Sequence, residues 1–320
     1  MAGHNDPFSD PEPTSPLWVI LNPKSKDYVR ARRAVLAGCE TSGLPMPHIV
    51  TTTLDAAGGP QAREALAGGA RTVIVGGGDG TVREVAGALA GSGVELGILP
   101  IGTANLFAHN LGLRTRVLRL AVRRALTPGG TPTDVAWASW RATDAAGAVA
   151  APSREQPFLV MAGVGHDAAT VDATDPKNKD RIGWLAYLSA GVARLRERPL
   201  DMRVSFDMTP ARRIRTWTLI VANCGAIPAG VRVVATASPH DGVLDTLEVP
   251  LQSPTQWASV AAKGLLKHSR EVGALRYGTA RTVWAVPDHP TPLHLDGDVV
   301  GVVADLRVRI QAGALLVRQG

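Results

Sequence analysis

Short apolar runs in the N-terminal part of the chain lead into loops and then into helical patterns. One loop, Gly76 to Thr81 (GGGDGT), follows the apolar run Thr72 to Val75 and precedes the helical segment Val82 to Leu89. Apolar runs without polar alternation are typical of strands buried on both faces, and helices between them connect parallel strands. This pattern predicts a parallel sheet covered by helices.

The other elements of this first unit continue the alternation. Strands are also predicted at Leu17 to Leu21, His48 to Thr51 and Leu96 to Leu99. Helices are also predicted at Tyr28 to Gly43, Gln61 to Leu66 and Ala104 to Leu111. We therefore expect an α/β domain at residues 17–132, after a disordered, proline-rich leader at residues 1–16.

After about residue 130 the pattern changes to strands with few helices between them, which predicts a mainly antiparallel domain at residues 133–320. The predicted strands are Phe158 to Val164, Met202 to Asp207, Thr216 to Ala222, Thr246 to Val249, Arg281 to Val286, Leu293 to Leu295 and Asp305 to Ile310. Helices are predicted at Arg181 to Arg198 and Gln252 to Leu275, and segment 141–157 is interpreted as a polar loop. The last residues of the chain could return to the first domain.

Composition limits the class of protein. Apolar residues make up 45% of the 320 residues and charged residues 19%, so most of the chain can fold around apolar cores. The two cysteines, Cys39 and Cys224, are too few for a disulfide framework, and a reducing cytoplasm is expected. The longest apolar stretch, near Gly183 to Leu195, is interrupted by Arg194 and is too short to span a membrane.

Charge narrows the choice of partners. The formal net charge of +6 favours anionic partners, such as nucleotides or an anionic membrane surface. Aromatic residues make up 4% of the chain and do not alternate with basic residues, so we expect no nucleic acid partner. The segment Arg181 to Arg198 has one apolar helical face beside basic residues, and it could touch a membrane or simply pack on the second domain. The sequence leaves a homodimer open.

Three loops are expected to meet beyond the carboxyl ends of the strands, where ligands of open α/β sheets bind. They are Asn22 to Ser25, Gly76 to Thr81 and Pro100 to Asn105. Glycines let a phosphate approach the backbone, and the start of a helix favours an anion, so these loops predict a phosphate site. A capping box formed by Thr81 and Glu84 would explain part of the second loop without a ligand. Neither the Walker pattern GxxxxGK[ST] nor the Rossmann pattern GxGxxG is present.

Two stretches resemble the catalytic domain of the diacylglycerol kinase family, which includes sphingosine, ceramide and bacterial lipid kinases. They are Val75 to Val85 (VGGGDGTVREV) and Leu99 to Asn105 (LPIGTAN). GGDGT is shared with NAD kinases, whereas GTAN at this spacing favours the lipid kinases. Similar segments, which extend the resemblance from about residue 17 to the C-terminus, are Asn22 to Lys24, Gly163 to Ala168, Asp241 to Asp245 and Leu295 to Asp298.

The resemblance implies a fold like that of NAD kinases and lipid kinases. In it, the α/β domain carries GGDGT, and an antiparallel β-sandwich packs against that domain with ATP in the cleft. The residues implied to hold the nucleotide are Asn22, Thr52, Gly77, Gly78, Asp79, Gly80, Thr81, Glu84, Gly102 and Thr103. The implied reaction transfers the γ-phosphoryl group of ATP to a hydroxyl of diacylglycerol or a related lipid alcohol.

The resemblance also implies which acids take part. The DGE motif of the family supplies the proton acceptor, which corresponds here to Asp298, with Asp296 as the alternative. Asp79 would organise Mg²⁺ and the phosphates. In phosphoryl transfer Mg²⁺ bridges phosphate oxygens while an acid takes the hydroxyl proton, so these residue types fit the chemistry.

A second, structural Mg²⁺ would by the same resemblance lie at Asp241, with carbonyls such as those of Ser238 and Val243. Some positions depart from the family pattern. Asp298 stands where Glu is usual, Leu106 where many bacterial members have Asp, and His166 where Phe is usual.

Two other functions remain open. An enzyme of the NAD kinase type would phosphorylate a soluble acceptor instead of a lipid. A nucleotide-binding regulator that has lost catalysis would be consistent with the shorter acid at Asp298. For the lipid kinase itself we expect a cytoplasmic protein that visits the membrane surface reversibly.

Overall fold

The computed structural model of this chain describes residues 16–113, 117–143, 148–167, 199–227, 232–250 and 273–320. Strands and helices alternate in its first part. The strands are β1 (Leu17–Leu21), β2 (His48–Thr51), β3 (Thr72–Gly77) and β4 (Glu95–Pro100). The helices are α1 (Tyr28–Thr41), α2 (Gly59–Ala67), α3 (Asp79–Leu89), α4 (Leu106–Asn110) and α5 (Leu118–Leu126).

These four strands form a parallel sheet in the order β4-β3-β1-β2. Trp18 and Ile20 of β1 pack in one core with α2 and α3, whereas Val19 and Leu21 pack in another core with α1 and α5. All five residues of β1 are buried because helices cover both faces of the sheet. The prediction of a parallel sheet covered by helices is confirmed.

The second part is built from strands that pair antiparallel, which confirms the predicted β-rich architecture. Its strands are β5 (Gly130–Thr143), β6 (Val149–Pro152), β7 (Gln156–Phe158), β8 (Met161–Gly165), β9 (Leu200–Phe206), β10 (Arg212–Thr216), β11 (Thr218–Ala222), β12 (Leu244–Glu248), β13 (Arg276–Ala280), β14 (Thr282–Pro287), β15 (Thr291–Leu295) and β16 (Asp298–Arg318). Inward side chains from these strands, among them Phe158, Met202 and Leu293, form the apolar core of a β-sandwich.

The long strand β16 connects the two parts. Its 21 residues pair antiparallel with β15, β14 and β5, and near its end Leu316 and Val317 pair parallel with Glu95 and Leu96 of β4. The sheet therefore continues from the sandwich into the α/β part. The β15–β16 turn lies at the other end of β16.

Two predictions about secondary structure are wrong. Segment 141–157 is not simply a polar loop, because the end of β5 pairs across it with β6 and β7. Pairing with neighbouring strands there outweighs a sequence pattern that lacks apolar alternation. The helix predicted from Ala104 begins only at Leu106, because Asn105 has a left-handed backbone conformation with φ of 50°.

Other predictions lie outside the described residues. These are the helix Arg181 to Arg198, most of the helix Gln252 to Leu275, and residues 1–15 of the leader. Among the helices that the structure describes, none has the length and apolar character needed to cross a lipid bilayer.

Candidate active site

The GGGDGT loop passes directly from β3 into α3. The helix begins at Asp79 with Gly78 as its N-cap, and no side-chain hydrogen bond caps it. Thr81 lies inside the first turn and is 6% exposed, so the capping box with Glu84, which was the alternative to a phosphate site, does not form. The Glu84 carboxylate lies instead beside the start of α2, 3.4 Å from where a Cβ atom on Gly59 would stand. Since the first N–H groups of a helix have no intrahelical acceptor, this start suits an anionic ligand.

Four glycines of the two Gly-Thr loops have opposite surroundings. Gly77 and Gly102 are packed, since a Cβ atom would lie 2.7 Å from the nearest side-chain atom at Gly77 and 2.3 Å from Gly78 Cα at Gly102. Gly78 and Gly80 are open: within the described residues a Cβ atom on Gly78 would have no neighbour inside 4 Å, and one on Gly80 would meet only Asp298 Oδ2, at 3.9 Å. Gly102 joins the two loops, Gly77 packs against Thr81 of its own loop, and the open pair leaves space for a phosphate against the backbone.

Asn105 organises the loop between β4 and α4. Its Oδ1 accepts the Gly102 N–H at 3.0 Å, and its Nδ2 donates to the carbonyls of Gly102 at 2.7 Å and Pro100 at 3.2 Å. Thr103 is left exposed at the tip of this loop. The sequence analysis assigned no role to Asn105, although it belongs to the GTAN motif.

The ends of β1 and β2 bring two more predicted residues to the same edge of the sheet. The Asn22 N–H donates to Gly76 O at 2.8 Å, and Asn22 Nδ2 donates to Thr81 Oγ1 at 3.4 Å. The Thr52 N–H donates to Leu21 O at 3.0 Å, and Thr52 is 6% exposed. Asn22 is thus joined directly to the GGGDGT loop, while Thr52 is buried at the end of the neighbouring strand.

Asp79 links the starts of two helices. Its Oδ1 accepts the Leu106 N–H at 2.5 Å, and the neighbouring N–H groups of Asn105 and Phe107 act to stabilise the charged carboxylate. Burial raises the pKa of Asp79 above its ordinary value; the three N–H groups oppose the rise and the nearby Asp296 carboxylate adds to it. Leu106, which stands where many bacterial members of the family have Asp, therefore contacts Asp79 through its backbone N–H.

The turn between β15 and β16 consists of Asp296 and Gly297, with φ of 50° and 87°, as a two-residue hairpin loop of the type I′ class requires. The buried Asp296 carboxylate accepts three backbone N–H bonds, from Leu159 at 2.9 Å, Val160 at 2.8 Å and Met161 at 3.0 Å. Burial raises the pKa of Asp296, and these bonds partly oppose the rise. Asp296 thus fastens the turn to the start of β8.

Asp298 follows the turn and has a side chain 58% exposed. Besides lying near Gly80, its Oδ2 accepts a hydrogen bond from Arg83 Nη1 at 3.0 Å, and the same nitrogen donates to Leu295 O at 3.1 Å. An acid of the sandwich therefore stands beside the glycine-rich loop of the α/β part. Arg83 was not predicted from the sequence to take part in the site, although its spacing of four residues from Asp79 puts both on one helix face.

A further polar cluster is buried behind β15. His294 Nε2 lies 2.9 Å from Asp167 Oδ2, and Thr218 Oγ1 donates to Asp167 Oδ1 at 2.6 Å. His166, which stands where the family usually has Phe, is half-buried, and the centre of its ring lies 5.5 Å from that of the Trp217 ring. The cluster fastens β15 to β11 two residues before the Asp296 turn.

The second magnesium site, at Asp241, Ser238 and Val243, stays a prediction. Asp241 is exposed, and its Oδ1 accepts the Val243 N–H at 3.1 Å. The buried Asp134 side chain holds this loop, since its Oδ2 accepts the Gly242 N–H at 2.8 Å. Within the described ranges no three His, Cys, Asp or Glu side chains come together in a way that could hold a metal ion.

Two family models match consecutive segments of the chain. The family described as the diacylglycerol kinase catalytic domain matches residues 16–148, and the YegS C-terminal NAD kinase beta sandwich-like domain matches residues 160–318. Residues 16–148 thus carry a diacylglycerol kinase catalytic domain, and residues 160–318 carry a YegS C-terminal domain. The resemblance carried by the GGGDGT and GTAN motifs is confirmed.

Relatives of this family match different shares of the chain. An uncharacterized protein of Synechocystis is 29% identical over 236 residues, which is 72% of this chain and 50% of that protein. A probable lipid kinase YegS-like protein of Klebsiella pneumoniae is 39% identical over 41% of this chain and 40% of its own length. Another of that name, from Chromohalobacter salexigens, is 29% identical over 88% of this chain and 86% of its own length. The match thus spans half or less of the first two relatives.

Solved structures of this family share the fold. The crystal structure of a putative diacylglycerol kinase from Bacillus anthracis has 20% sequence identity to this chain and a TM-score of 0.75, covering 98% of each chain. Another structure titled a diacylglycerol kinase from the same organism gives a TM-score of 0.73 over 94% of this chain. The two-part fold is therefore shared with these solved structures.

Proposed function

We propose that the protein is an ATP- and Mg²⁺-dependent lipid kinase, which transfers the γ-phosphoryl group to a hydroxyl of diacylglycerol or a related lipid alcohol. The observation that carries this proposal is the position of Asp298. Its Oδ2 lies 3.9 Å from where a Cβ atom on Gly80 would stand, on the open side of the glycine-rich loop. A proton acceptor from one part of the protein thus faces a phosphate cradle from the other.

The open loop supports the binding of a triphosphate. Gly78 and Gly80 have free space above their backbones, and α3 begins beside them without a side-chain cap. The N–H groups and the dipole of a helix start attract phosphate oxygens. Asn22, Thr52 and Thr103 lie at the ends of neighbouring strands, where they would complete the nucleotide site.

The acids present fit a magnesium ion bound together with ATP. Mg²⁺ is held in kinases by one or two carboxylates plus the phosphates of the substrate, and Asp79 offers such a carboxylate at the start of α3. When bound, Mg²⁺ would neutralise charge that develops on the phosphate oxygens. The contacts of Asp79 with α4 hold its carboxylate in place for that role.

Between the two candidate proton acceptors, the surroundings favour Asp298. Asp296 is buried and its two oxygens already accept three backbone N–H bonds, whereas Asp298 is exposed beside the loop. In the proposed step the acceptor hydroxyl passes its proton to Asp298. Its oxygen forms a bond to the γ-phosphorus, and the bond from that phosphorus to the bridging oxygen breaks, which releases ADP.

The acceptor is proposed from family membership, since relatives of this chain are named probable lipid kinases. A lipid alcohol presents its hydroxyl at a membrane surface, so we propose a cytoplasmic enzyme that meets the membrane reversibly. The net charge of +6 supports contact with an anionic surface.

The test is transfer of radiolabelled γ-phosphate from ATP to lipid alcohols in detergent micelles, with Mg²⁺, followed by chromatography of the lipid phase. We expect one labelled lipid, which identifies the acceptor, and labelling about 10²–10⁴-fold slower with the Asp298→Asn variant. Parallel reactions contain NAD and no lipid. Label in NAD would instead indicate a soluble-acceptor kinase. Binding of ATP by calorimetry without transfer to any acceptor would indicate a catalytically silent regulator.

A further inference from the structure

Arg83 spans the boundary between the two parts of the protein. It lies on α3, one helical turn after Asp79, and its Nη1 donates both to Asp298 Oδ2 at 3.0 Å and to Leu295 O at 3.1 Å. One nitrogen therefore contacts residues on both sides of the β15–β16 turn. A contact between residues 215 positions apart in the chain fixes the position of the turn relative to the loop.

The two partners differ in exposure. The Arg83 side chain is 14% exposed, whereas that of Asp298 is 58% exposed. The guanidinium is thus enclosed and held by a second, backbone acceptor, while the carboxylate is open to solvent and to an incoming substrate. An ion pair with one well-held partner loses less side-chain entropy than a pair of two mobile ones.

The charge of Arg83 reaches the second acid of the turn as well. Its guanidinium acts to lower the pKa of the buried Asp296 carboxylate, against the effect of burial. Arg83 therefore contacts one acid of the β15–β16 turn and acts electrostatically on the other.

The short side chain of Asp298 explains why its contact with Arg83 would matter for the reaction. Asp298 stands where the resemblance predicts Glu, and its carboxylate is one methylene shorter. A shorter acid reaches less far over the loop, so the turn that carries it must be held close to the loop, and Arg83 holds that turn through Leu295 O as well. The Arg83 bond uses Oδ2, and among the described residues no other hydrogen bond to this carboxylate is formed, which leaves Oδ1 for a substrate hydroxyl.

We propose that Arg83 is a positioning residue for the reaction, which holds the shorter acid Asp298 over Gly80 so that it can accept the hydroxyl proton. This inference rests on the proposed kinase function. It assigns to Arg83 an effect on the rate of transfer that passes through Asp298. Arg83 then has little effect on the binding of ATP, because it contacts the acid turn and not the glycines.

The experiment is a double-mutant cycle on the full chain with the acceptor lipid identified above. Wild type, Arg83→Ala, Asp298→Asn and the double variant are compared by kcat and by KM for ATP. We expect Arg83→Ala to lower kcat about tenfold or more with KM for ATP nearly unchanged. In the Asp298→Asn background, removal of Arg83 should have no further effect on kcat, because the carboxylate that Arg83 positions is already absent.

A purely structural role predicts a different result. If Arg83 only fastened the two parts together, its removal would reduce kcat by the same factor with and without the Asp298 carboxylate, and this multiplicative result would refute the inference. Arg83→Lys keeps the charge in a compact ammonium and is expected to recover part of the lost kcat. It also replaces Arg83→Ala in the cycle if thermal denaturation shows that the alanine variant is unfolded.

A matched control comes from an ion pair outside the site. Arg213 pairs with Asp288, and its side chain is 70% exposed, so Arg213→Ala removes a guanidinium without touching the acid turn. This variant should keep the wild-type kcat. An active wild type with a fully active Arg83→Ala variant would refute the inference alone. Absence of transfer by the wild type would refute the proposed function, and the inference with it.

Discussion

The backbone of Gly102 approaches that of Gly78 so closely that a Cβ atom on Gly102 would lie 2.3 Å from Gly78 Cα. The two loops that carry GGGDGT and GTAN are therefore a single packed unit and not two independent turns. Asn105 supports the unit from the side of β4 by bonding both the N–H and the carbonyl of Gly102. Any phosphate bound at the start of α3 depends on this loop-to-loop contact.

Gly102→Ala is expected to abolish nucleotide binding and to lower stability by about 1–3 kcal/mol, because the loops must separate to admit the methyl group. Since the atom in the way is the backbone Cα of Gly78, no flexible side chain can move aside. Isothermal titration calorimetry with ATP measures the first effect and thermal denaturation the second.

Gly78→Ala is the matched control for stability. Its φ of −86° is open to any residue, and a Cβ atom there would meet no described neighbour within 4 Å. We expect a melting temperature equal to that of the wild type and weaker ATP binding, since the methyl group occupies the open side of the loop. Equal ATP affinity in both variants and the wild type would show that these glycines do not form the phosphate site.

Asp79→Asn separates catalysis from folding at a second position. The amide keeps an oxygen for the Leu106 N–H, so the fold should persist, while transfer should fall by about 10³-fold or more because the carboxylate for Mg²⁺ is gone. The assay is lipid phosphorylation at saturating ATP. Retained activity would remove Asp79 from the proposed mechanism.

The same variant tests the raised pKa of Asp79 in metal-free protein. A carboxyl group whose pKa is higher in the folded state stabilises the fold fully only below its unfolded value, ordinarily 3.8, and loses that contribution as pH rises through the folded value. The wild type should therefore lose stability relative to Asp79→Asn as the pH rises from about 4 to neutral. Melting temperatures at both ends of this range show the trend, and a constant difference would contradict it.

Asp298→Asn and Asp296→Asn should have opposite effects. Asp298 is exposed, so its variant should melt like the wild type but lose about 10²–10⁴-fold in kcat as the proton acceptor disappears. Asp296 accepts three backbone N–H bonds, and an amide cannot accept all three. Its variant should lose about 1–3 kcal/mol of stability.

Kinetics and thermal denaturation of the two variants, measured side by side, decide between the acids. Asp298→Glu serves as the control, since it restores the length of the acid that the family pattern predicts. A wild-type kcat in Asp298→Asn would contradict the first assignment, and a normal melting temperature in Asp296→Asn would contradict the second.

Much of the α/β part could be predicted because its signals are local. The run LWVIL is apolar throughout, and β1 is buried on both faces. The GGGDGT loop likewise follows an apolar run, and it does connect β3 to α3. The helix start was misplaced by a few residues, because Thr81 and Glu84 satisfy a capping pattern while Gly78, which caps without a side chain, gives no such signal.

The parts that could not be predicted depend on contacts distant in sequence. β5 has 14 residues and was not recognised, because its pairing with β16 and not its own pattern makes it a strand. The Arg83–Asp298 contact joins residues 215 positions apart, and a sequence pattern carries no information on such a distance. The different roles of Asp296 and Asp298 follow from the geometry of the turn, which directs one carboxylate inward and the other outward.

The end of β16 offers a test of how the two parts are joined. Arg318 is buried, and its guanidinium donates to Glu95 Oε2 at 2.6 Å, to Thr72 Oγ1 at 2.8 Å and to the carbonyls of Ala125 at 3.0 Å and Leu126 at 3.2 Å. One side chain therefore satisfies acceptors on β3, β4 and α5. Arg318→Ala would leave these buried acceptors without their donor.

We expect Arg318→Ala to cost about 3 kcal/mol. Burial alone would raise the pKa of Glu95, but the Arg318 guanidinium and the Gly130 N–H hold it below its ordinary value of 4.5. A lowered pKa stabilises the fold above the unfolded value, and that contribution is lost as pH falls through the folded value. The difference in melting temperature between wild type and variant should therefore be largest near neutral pH and shrink below about pH 4.5.

The control is Arg309→Ala, which removes a half-exposed ion pair with Glu155 and should cost less than about 1 kcal/mol. Similar losses of stability in the two variants would show that β16 is not anchored through Arg318.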